Sequence, residues 1–300
     1  MNQQGDGHMK TIFNLAPTLS RLSLGLAGTL LCVAAMAANP SDWWIDIAND
    51  RVDDVKTLMA RGADPNELSP KGQPAIMQSI RDGAWGVYEV LAANQKTSLN
   101  AININRETAL MYLAVLGETK RAQALIRRGA MVNRLGWTPL HYAASTGKVE
   151  TAKMLIANKA IIDAPAPDGT TALMMAAHSG SAPMVQLLLD HGAEVTTRNL
   201  QKLDAADWAR AKKHTALAAK LDALTNKTLK QRAALHQQNQ AGTAASGVEA
   251  ASDVKTLDLG NTQDKAAAPA TDKGAKKPAE QPSSSSRYFD LDRFNEKPSP

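Results

Sequence analysis

The 300-residue chain reads as an all-α solenoid, a stack of short helix pairs, on three observations. Two sequence markers recur in phase at a period near 33 residues, the signature of an array in which each unit packs only on its neighbours. Aromatic residues make up only 4% of the chain, with three phenylalanines, so a core must be built from thin layers of Ala, Leu, Ile, Val and Met. Glycines fall at fixed points of the period, where short helices have to stop.

The first marker is clearest in Gly136-Trp-Thr-Pro-Leu-His-Tyr-Ala-Ala-Ser-Thr-Gly147 and Gly169-Thr-Thr-Ala-Leu-Met-Met-Ala-Ala-His-Ser-Gly180. Its Thr slot recurs as Ser41, Pro74, Thr108, Thr138, Thr171 and Asp204, spaced by 33, 34, 30, 33 and 33 residues. The second marker is Leu58-Met-Ala-Arg-Gly-Ala-Asp-Pro-Asn66, then Leu125-Ile-Arg-Arg-Gly-Ala-Met-Val-Asn133, then Leu188-Leu-Asp-His-Gly-Ala-Glu-Val195. Within a unit, Thr138-Pro139 opens a helix, Thr as a side-chain cap and Pro where no N–H partner is lost. Ala143-Ala144 permits close approach, and Gly147 breaks the chain. A second helix follows, with Val149, Ala152, Leu155 and Ile156 on one stripe. In the next unit Pro183 sits in the first turn of that helix, and Val185, Leu188 and Leu189 form its apolar face. Gly62, Gly129 and Gly192 stop the second helices in a left-handed turn. Gln95 and Lys159 replace that glycine, so those turns are expected to be strained or rearranged. Ser41 and Asp46 in the first unit, and Asp204-Ala-Ala-Asp-Trp-Ala209 in the last, mark capping units.

Together these segments resemble the ankyrin repeat family, whose signature is Thr-Pro-Leu-His-x-Ala-Ala followed by Leu-Leu-x-x-Gly-Ala. The resemblance covers about 41–224, five repeats plus a degenerate C-terminal cap. It implies β-hairpin fingers between the helix pairs and protein binding along a concave face, through fingertips and the ends of the first helices. Carried over by position, the fingertips are Lys71 and Gln73, Asn105 and Glu107, Arg134 and Trp137, and Asp168 and Thr170. The helix ends are Arg81 and Asp82, Val115 and Leu116, Ser145 and Thr146, and His178 and Ser179. The Thr108–Thr138 interval is three residues short, so one finger is clipped, and a notch floored or flanked by Trp137 is expected. Trp137 has two readings: an exposed indole beside Arg134, which is hot-spot chemistry, or a ring folded over Leu135 or the neighbouring finger. Trp43, Trp44, Trp85 and Trp208 read as packing residues. For His141 the resemblance implies a structural hydrogen bond between turns.

The two ends are different material. Lys10 and Arg21 precede the apolar run from Leu22 to Ala35, and Ala35-Met36-Ala37 supplies a small-x-small cleavage signal, so residues 1–37 read as a secretory signal peptide. The alternative is an uncleaved membrane anchor, although the run falls short of about 20 apolar residues. The single cysteine, Cys32, lies inside this leader; the remainder is cysteine-free, which suits a periplasmic or secreted location. From 225 to 300 the polar, low-complexity sequence predicts a disordered tail, with residues 227–239 able to prolong the last helix. Within it, Arg287-Tyr-Phe-Asp-Leu-Asp-Arg-Phe294 is either an apolar remnant or a short docking motif for a partner or for the chain's own groove.

No chemistry is expected. Disulfide scaffolds, Cys-rich zinc modules and cysteine nucleophiles are excluded by the cysteine count. There is no His-x-x-x-His pair, no carboxylate constellation and no Gly-x-Ser-x-Gly elbow, so no catalytic residue, metal or cofactor is assigned. The +5 net charge, from 34 basic and 29 acidic residues, is spread without a dense basic block, which excludes nucleic acid as partner. The sequence thus predicts a monomeric, exported scaffold binding another protein through its concave face, with no stable membrane insertion once the leader is removed. The rival readings are a membrane-tethered structural organiser and an effector exported to act in another cell.

Overall fold

The computed structural model describes residues 39–245, all within one compact unit that begins at Ala38. The leader, Cys32 and Arg287–Phe294 lie outside the described residues. Twelve helices are described: α1 Asp42–Ala48, α2 Val52–Ala60, α3 Ala75–Asp82, α4 Trp85–Ala93, α5 Ala109–Leu116, α6 Thr119–Arg127, α7 Pro139–Ser145, α8 Val149–Ala157, α9 Ala172–Ser179, α10 Ala182–Asp190, α11 Ala205–Ala211 and α12 Thr215–Ala245. The first helices pack in one row, α1 on α3 on α5 on α7 on α9 on α11, and α12 covers the end of that row. In the second row α2 packs on α4, and α6 on α8 on α10. The chain is an ankyrin-type solenoid, and its core is a file of small aliphatic layers.

The inner helices show why alanine is used so heavily. In α5 every residue from Ala109 to Val115 is buried, because neighbours close on it from both sides. In α7 the whole of Pro139–Ser145 is buried. Helices enclosed all round cannot be amphipathic, whereas α6 buries only Ala122 and Leu125.

Side chains staple each layer to the next. Asn39, Asn66, Asn100 and Asn133 accept a hydrogen bond from the backbone N–H of Asp64, Ser98, Met131 and Ile161 respectively, at 2.6–2.9 Å. Each Nδ2 also donates to a carbonyl of the following unit: Asp64, Lys96, Gly129 and Lys159. Asp163 continues the ladder by accepting from Glu194 N–H at 3.1 Å. These bonds satisfy backbone groups that the loops leave without a helical partner. Asp50, at φ 54° in a slot where later units place glycine, uses its carboxylate to cap α4 through Val87 N–H at 2.7 Å.

The fingers contain no strand among the described residues beyond an isolated antiparallel bridge between Leu68 and Pro74. Four fingers close by the same pair of backbone bonds, for example Ser69 N–H to Gln73 O and Gly72 N–H to Ser69 O. The same pairs occur as Asn103/Glu107 with Arg106/Asn103, Ala166/Thr170 with Gly169/Ala166, and Asn199/Leu203 with Lys202/Asn199. Two-residue arms are too short to register as ladders, so these are turns carrying a finger's shape.

Where glycine is missing at the end of a second helix, the two departures behave differently. Lys159 keeps the left-handed turn at φ 67°. After α4, Asn94 is extended at ψ 128°, and Gln95 escapes positive φ altogether. A non-glycine residue held left-handed costs roughly 1–2 kcal/mol. Lys159→Gly should therefore raise stability by about 0.5–1 kcal/mol in urea denaturation, after the entropy glycine adds to the unfolded chain. Gln95→Gly should give no gain.

Helix α12 is 31 residues long and runs past the boundary at 224 that composition suggests, through the 227–239 stretch and on to Ala245. Its sequence is rich in Ala, Leu, Lys, Gln and Arg, which favour helix without needing a core. Arg232 pairs with Glu194 and donates to Thr196 at 3.0 Å, pinning the helix to the last loop. The hydroxyl of Thr196 and then Arg232 hold the Glu194 carboxyl down at about 2.

Candidate functional site

The fingers and the ends of the inner helices place the sequence-selected residues in two groups. Lys71, Asn105, Arg81 and Leu116 are exposed. Arg134, Asp82, Thr146, Asp168, His178 and Ser179 are half-buried. Asp82 accepts from Gln78 at 2.7 Å and Asp168 accepts from Thr170 N–H at 3.0 Å, so both carboxylates carry internal bonds. Thr146 donates to Val115 O at 2.9 Å, and Ser179 to Ala176 O at 2.9 Å.

Five residues expected at the surface are instead interior, Gln73, Glu107, Val115, Ser145 and Thr170, and so is Trp137. Val115 and Ser145 lie on inner helices enclosed by both neighbours, and Ser145 donates back to Tyr142 O at 2.8 Å. Thr170 offers its carbonyl to His141. Gln73 and Glu107 are drawn into a polar cluster that joins three units. There the Tyr142 hydroxyl donates to Glu107 Oε1 at 2.5 Å, Tyr112 to Oε2 at 3.3 Å, and Asn103 Nδ2 to Oε2 at 2.9 Å. Asn103 also donates to Gln73 Oε1 at 3.2 Å. Three donors make a 1%-exposed carboxylate tolerable. The cluster was invisible in the sequence because its partners come from positions 30 and 35 residues apart.

Trp137 takes the buried one of its two readings. It is 8% exposed and lies edge-on to the His141 ring, centroids 5.3 Å apart. The clipped finger lacks the pair of turn bonds seen in the other four. Arg134 donates to the Arg106 carbonyl, tying the clipped finger to the preceding one. Burial, then the nearby Arg106, lowers the Arg134 pKa. The His141 ring accepts Thr138 N–H at Nδ1 (3.2 Å) and donates from Nε2 to Thr170 O (3.0 Å), the bond between turns expected of it. Burial pushes its pKa down to about 4, so it is neutral and structural.

The fingers also expose what the sequence reading passed over. Ile104, Leu135 and Leu200 are 76%, 96% and 76% exposed, one per finger, and Pro167 is exposed on the finger between the last two. A Cβ on Gly72 would collide with Ile104, and one on Gly136 would touch Pro167, so successive tips lie against one another. Cations accompany them: Lys71, Arg106 and Lys202 are exposed and Arg134 half so. Counting apolar residues toward the core by default hid this ridge.

On the other side, between α4 and α6, lies a cleft of about 450 Å³ lined by Glu89, Glu118, Lys120 and Arg121 among others. Arg121 pairs with Glu118 at 2.6 Å and Glu89 at 3.1 Å, and stands 4.2 Å from the centroid of the Trp85 ring. Both carboxylates are thus matched by Arg121. Among the described residues, no group of three or more His, Cys, Asp or Glu converges on a metal position.

Residues 122–199 match the family model described as Ankyrin repeats (3 copies). The chain carries ankyrin repeats. Curated relatives share these repeats in varied settings. Neurogenic locus notch homolog protein 1 of Xenopus laevis is 30% identical over 129 residues, 42% of this chain and 5% of that protein. E3 ubiquitin-protein ligase XBAT33 of Arabidopsis thaliana is 34% identical over 145 residues, 47% of this chain and 27% of that one. Transient receptor potential cation channel subfamily A member 1 of Homo sapiens is 36% identical over 160 residues, 50% of this chain and 14% of the channel. The aligned repeats thus span about a quarter or less of each of these proteins. Ankyrin repeats generally mediate binding to other proteins.

Proposed function

We propose that this protein is an exported, non-catalytic scaffold that binds another protein through the finger side of its ankyrin stack. The observation that carries this reading is the exposed row Ile104, Leu135 and Leu200. Aliphatic side chains left in water cost about 25 cal/mol per Å² relative to burial, so a row of them rewards any partner that covers it. Lys71, Arg106 and Arg134 beside the row favour a partner surface with carboxylates. Of the residues first selected, Lys71, Arg81, Asn105, Leu116 and Arg134 remain contact positions, and the apolar tips join them. Export is supported by the charged-apolar-small order of residues 1–37 and by the absence of cysteine after Cys32. Its location is then periplasmic or secreted. The rest of the chain is taken to act as a monomer.

The test is affinity capture from the native source with wild-type chain and a Leu135→Asp, Leu200→Asp double variant. These side chains are exposed, so the variant should fold normally by circular dichroism. The expected result is loss of at least about nine-tenths of specifically recovered partner, since two buried apolar contacts are worth roughly 2–4 kcal/mol. Equal recovery by both chains would refute the finger-side assignment.

A further inference from the structure

The finger ridge has an occupant close at hand in the same chain. We infer that the C-terminal segment Arg287–Phe294 docks across the ridge of Ile104, Leu135 and Leu200 and shields it until a partner displaces it. This rests on the proposed finger-side binding surface and adds regulation to it.

Three observations converge. The first is dimension. Ile104 and Leu200 are three units apart, about 25–30 Å at 8–10 Å per packed helix layer. An eight-residue segment lying extended covers about 26 Å. The second is chemistry. Tyr288, Phe289, Leu291 and Phe294 gather large apolar groups directly after a run, residues 260–286, that holds no Val, Leu, Ile, Met or aromatic residue. Asp290 and Asp292 are interleaved with them, between Arg287 and Arg293, and the ridge answers the two carboxylates with Lys71, Arg106, Arg134 and Lys202. Two of those cations, Arg106 (φ 61°) and Lys202 (φ 63°), hold the left-handed turn position that Gly72, Gly136 and Gly169 fill in the other fingers. A charged side chain kept where glycine is easier points to a use for the charge. The third is reach. Residues 246–286 join the end of α12 to the segment, and a chain of that length has a root-mean-square span of about 35 Å. Tethered docking of this kind proceeds at an effective concentration of order 1 mM. A segment with a dissociation constant near 0.1 mM would then cover the ridge about nine-tenths of the time.

The experiment is amide hydrogen exchange by mass spectrometry on the full chain, wild type against Phe289→Ser, Phe294→Ser. Circular dichroism of both chains checks that the variant folds as the wild type does. Exchange in peptides covering residues 102–106, 133–137 and 199–203 should be about ten-fold faster in the variant, with peptides from α2 and α8 unchanged. Leu135→Ser should produce the same acceleration from the ridge side. Identical exchange in wild type and variant overturns the inference. Protection that disappears on dilution overturns it too, by making a second copy the occupant. The two claims fail separately: loss of partner in the Leu135→Asp, Leu200→Asp chain with unaltered finger exchange in the tail variant leaves partner binding standing and removes the self-docking.

Discussion

Replacing Leu113 by alanine should destabilise the folded chain by about 3–4 kcal/mol, within the 2–5 kcal/mol found for leucine truncations in closed cores. Leu113 is fully buried in α5, which packs on α3 on one side and α7 on the other. The flanking layers are themselves filled, by Ile76, Met77 and Ile80 of α3 and by Leu140 and Tyr142 of α7, so little can move in to fill the void. The consequence is larger than a lower midpoint. In an array whose units touch only their neighbours, stability is a sum of unit and interface energies. Weakening the central layer strikes both its interfaces and should split one unfolding transition into two. Urea titration followed by circular dichroism should show the split, and hydrogen exchange should show α1–α4 opening apart from α7–α12. A shift under 1 kcal/mol with a single sharp transition would mean the layers are not energetically separate in this way.

Acidification from pH 7 to pH 5 should cost about 2 kcal/mol through His141 alone. Its imidazole is buried and neutral, accepting at Nδ1 from Thr138 and donating at Nε2 to Thr170. Burial lowers its native pKa from 6.5 to about 4. The unfolded chain therefore takes up the proton first, and stability present above pH 6.5 drains as pH falls toward 4. Over two pH units this linkage gives about 2 kcal/mol, or roughly 4–8 °C in Tm for a chain of this size. His178 is also held near 4, by burial and then by Lys212 and His214, and pulls the same way from a half-exposed position beside Trp208. In a His141→Asn variant the absolute stability will be lower, but its pH dependence should flatten by the share of His141. An unchanged slope would assign the acid sensitivity elsewhere.

The stacking was legible because period and phase are properties of the chain itself. Thr138, Thr171 and Asp204 mark the slot where an inner helix begins, and all three open one in the structure. Asp204 does so as a capping box with Asp207, at 3.1 Å and 3.2 Å. The strained turn at Lys159 was legible for the same reason, since one position must go left-handed whatever residue fills it. What could not be read was which finger residues face water. Glu107 and Trp137 occupy equivalent positions just before the Thr slot, yet one is buried under hydroxyls from two inner helices and the other edge-on to the His141 ring. That outcome depends on the neighbouring unit's side chains, and no periodicity encodes them. Asn66 and Asn133 stood in the second marker, but their partners Ser98 and Ile161 lie in the next unit, so the ladder appears only once layers are stacked. Ile104, Leu135 and Leu200 were passed over because an apolar residue is ordinarily a core residue, and only the turn geometry lifts them into solvent. Helix α12 outran its expected end because a polar sequence free of proline can stay helical when an anchor beyond residue 224, Arg232 on Glu194, ties its middle to the last loop.

The most direct measurement is a hydrogen-exchange footprint of the captured partner on the full chain. Slowed exchange should fall on fingers 102–106, 133–137, 165–170 and 198–203 and on the adjoining ends of α3 and α5, leaving α4, α6, α8 and α10 unchanged. Protection centred on those outer helices, with the fingers exchanging as in the free chain, would contradict it.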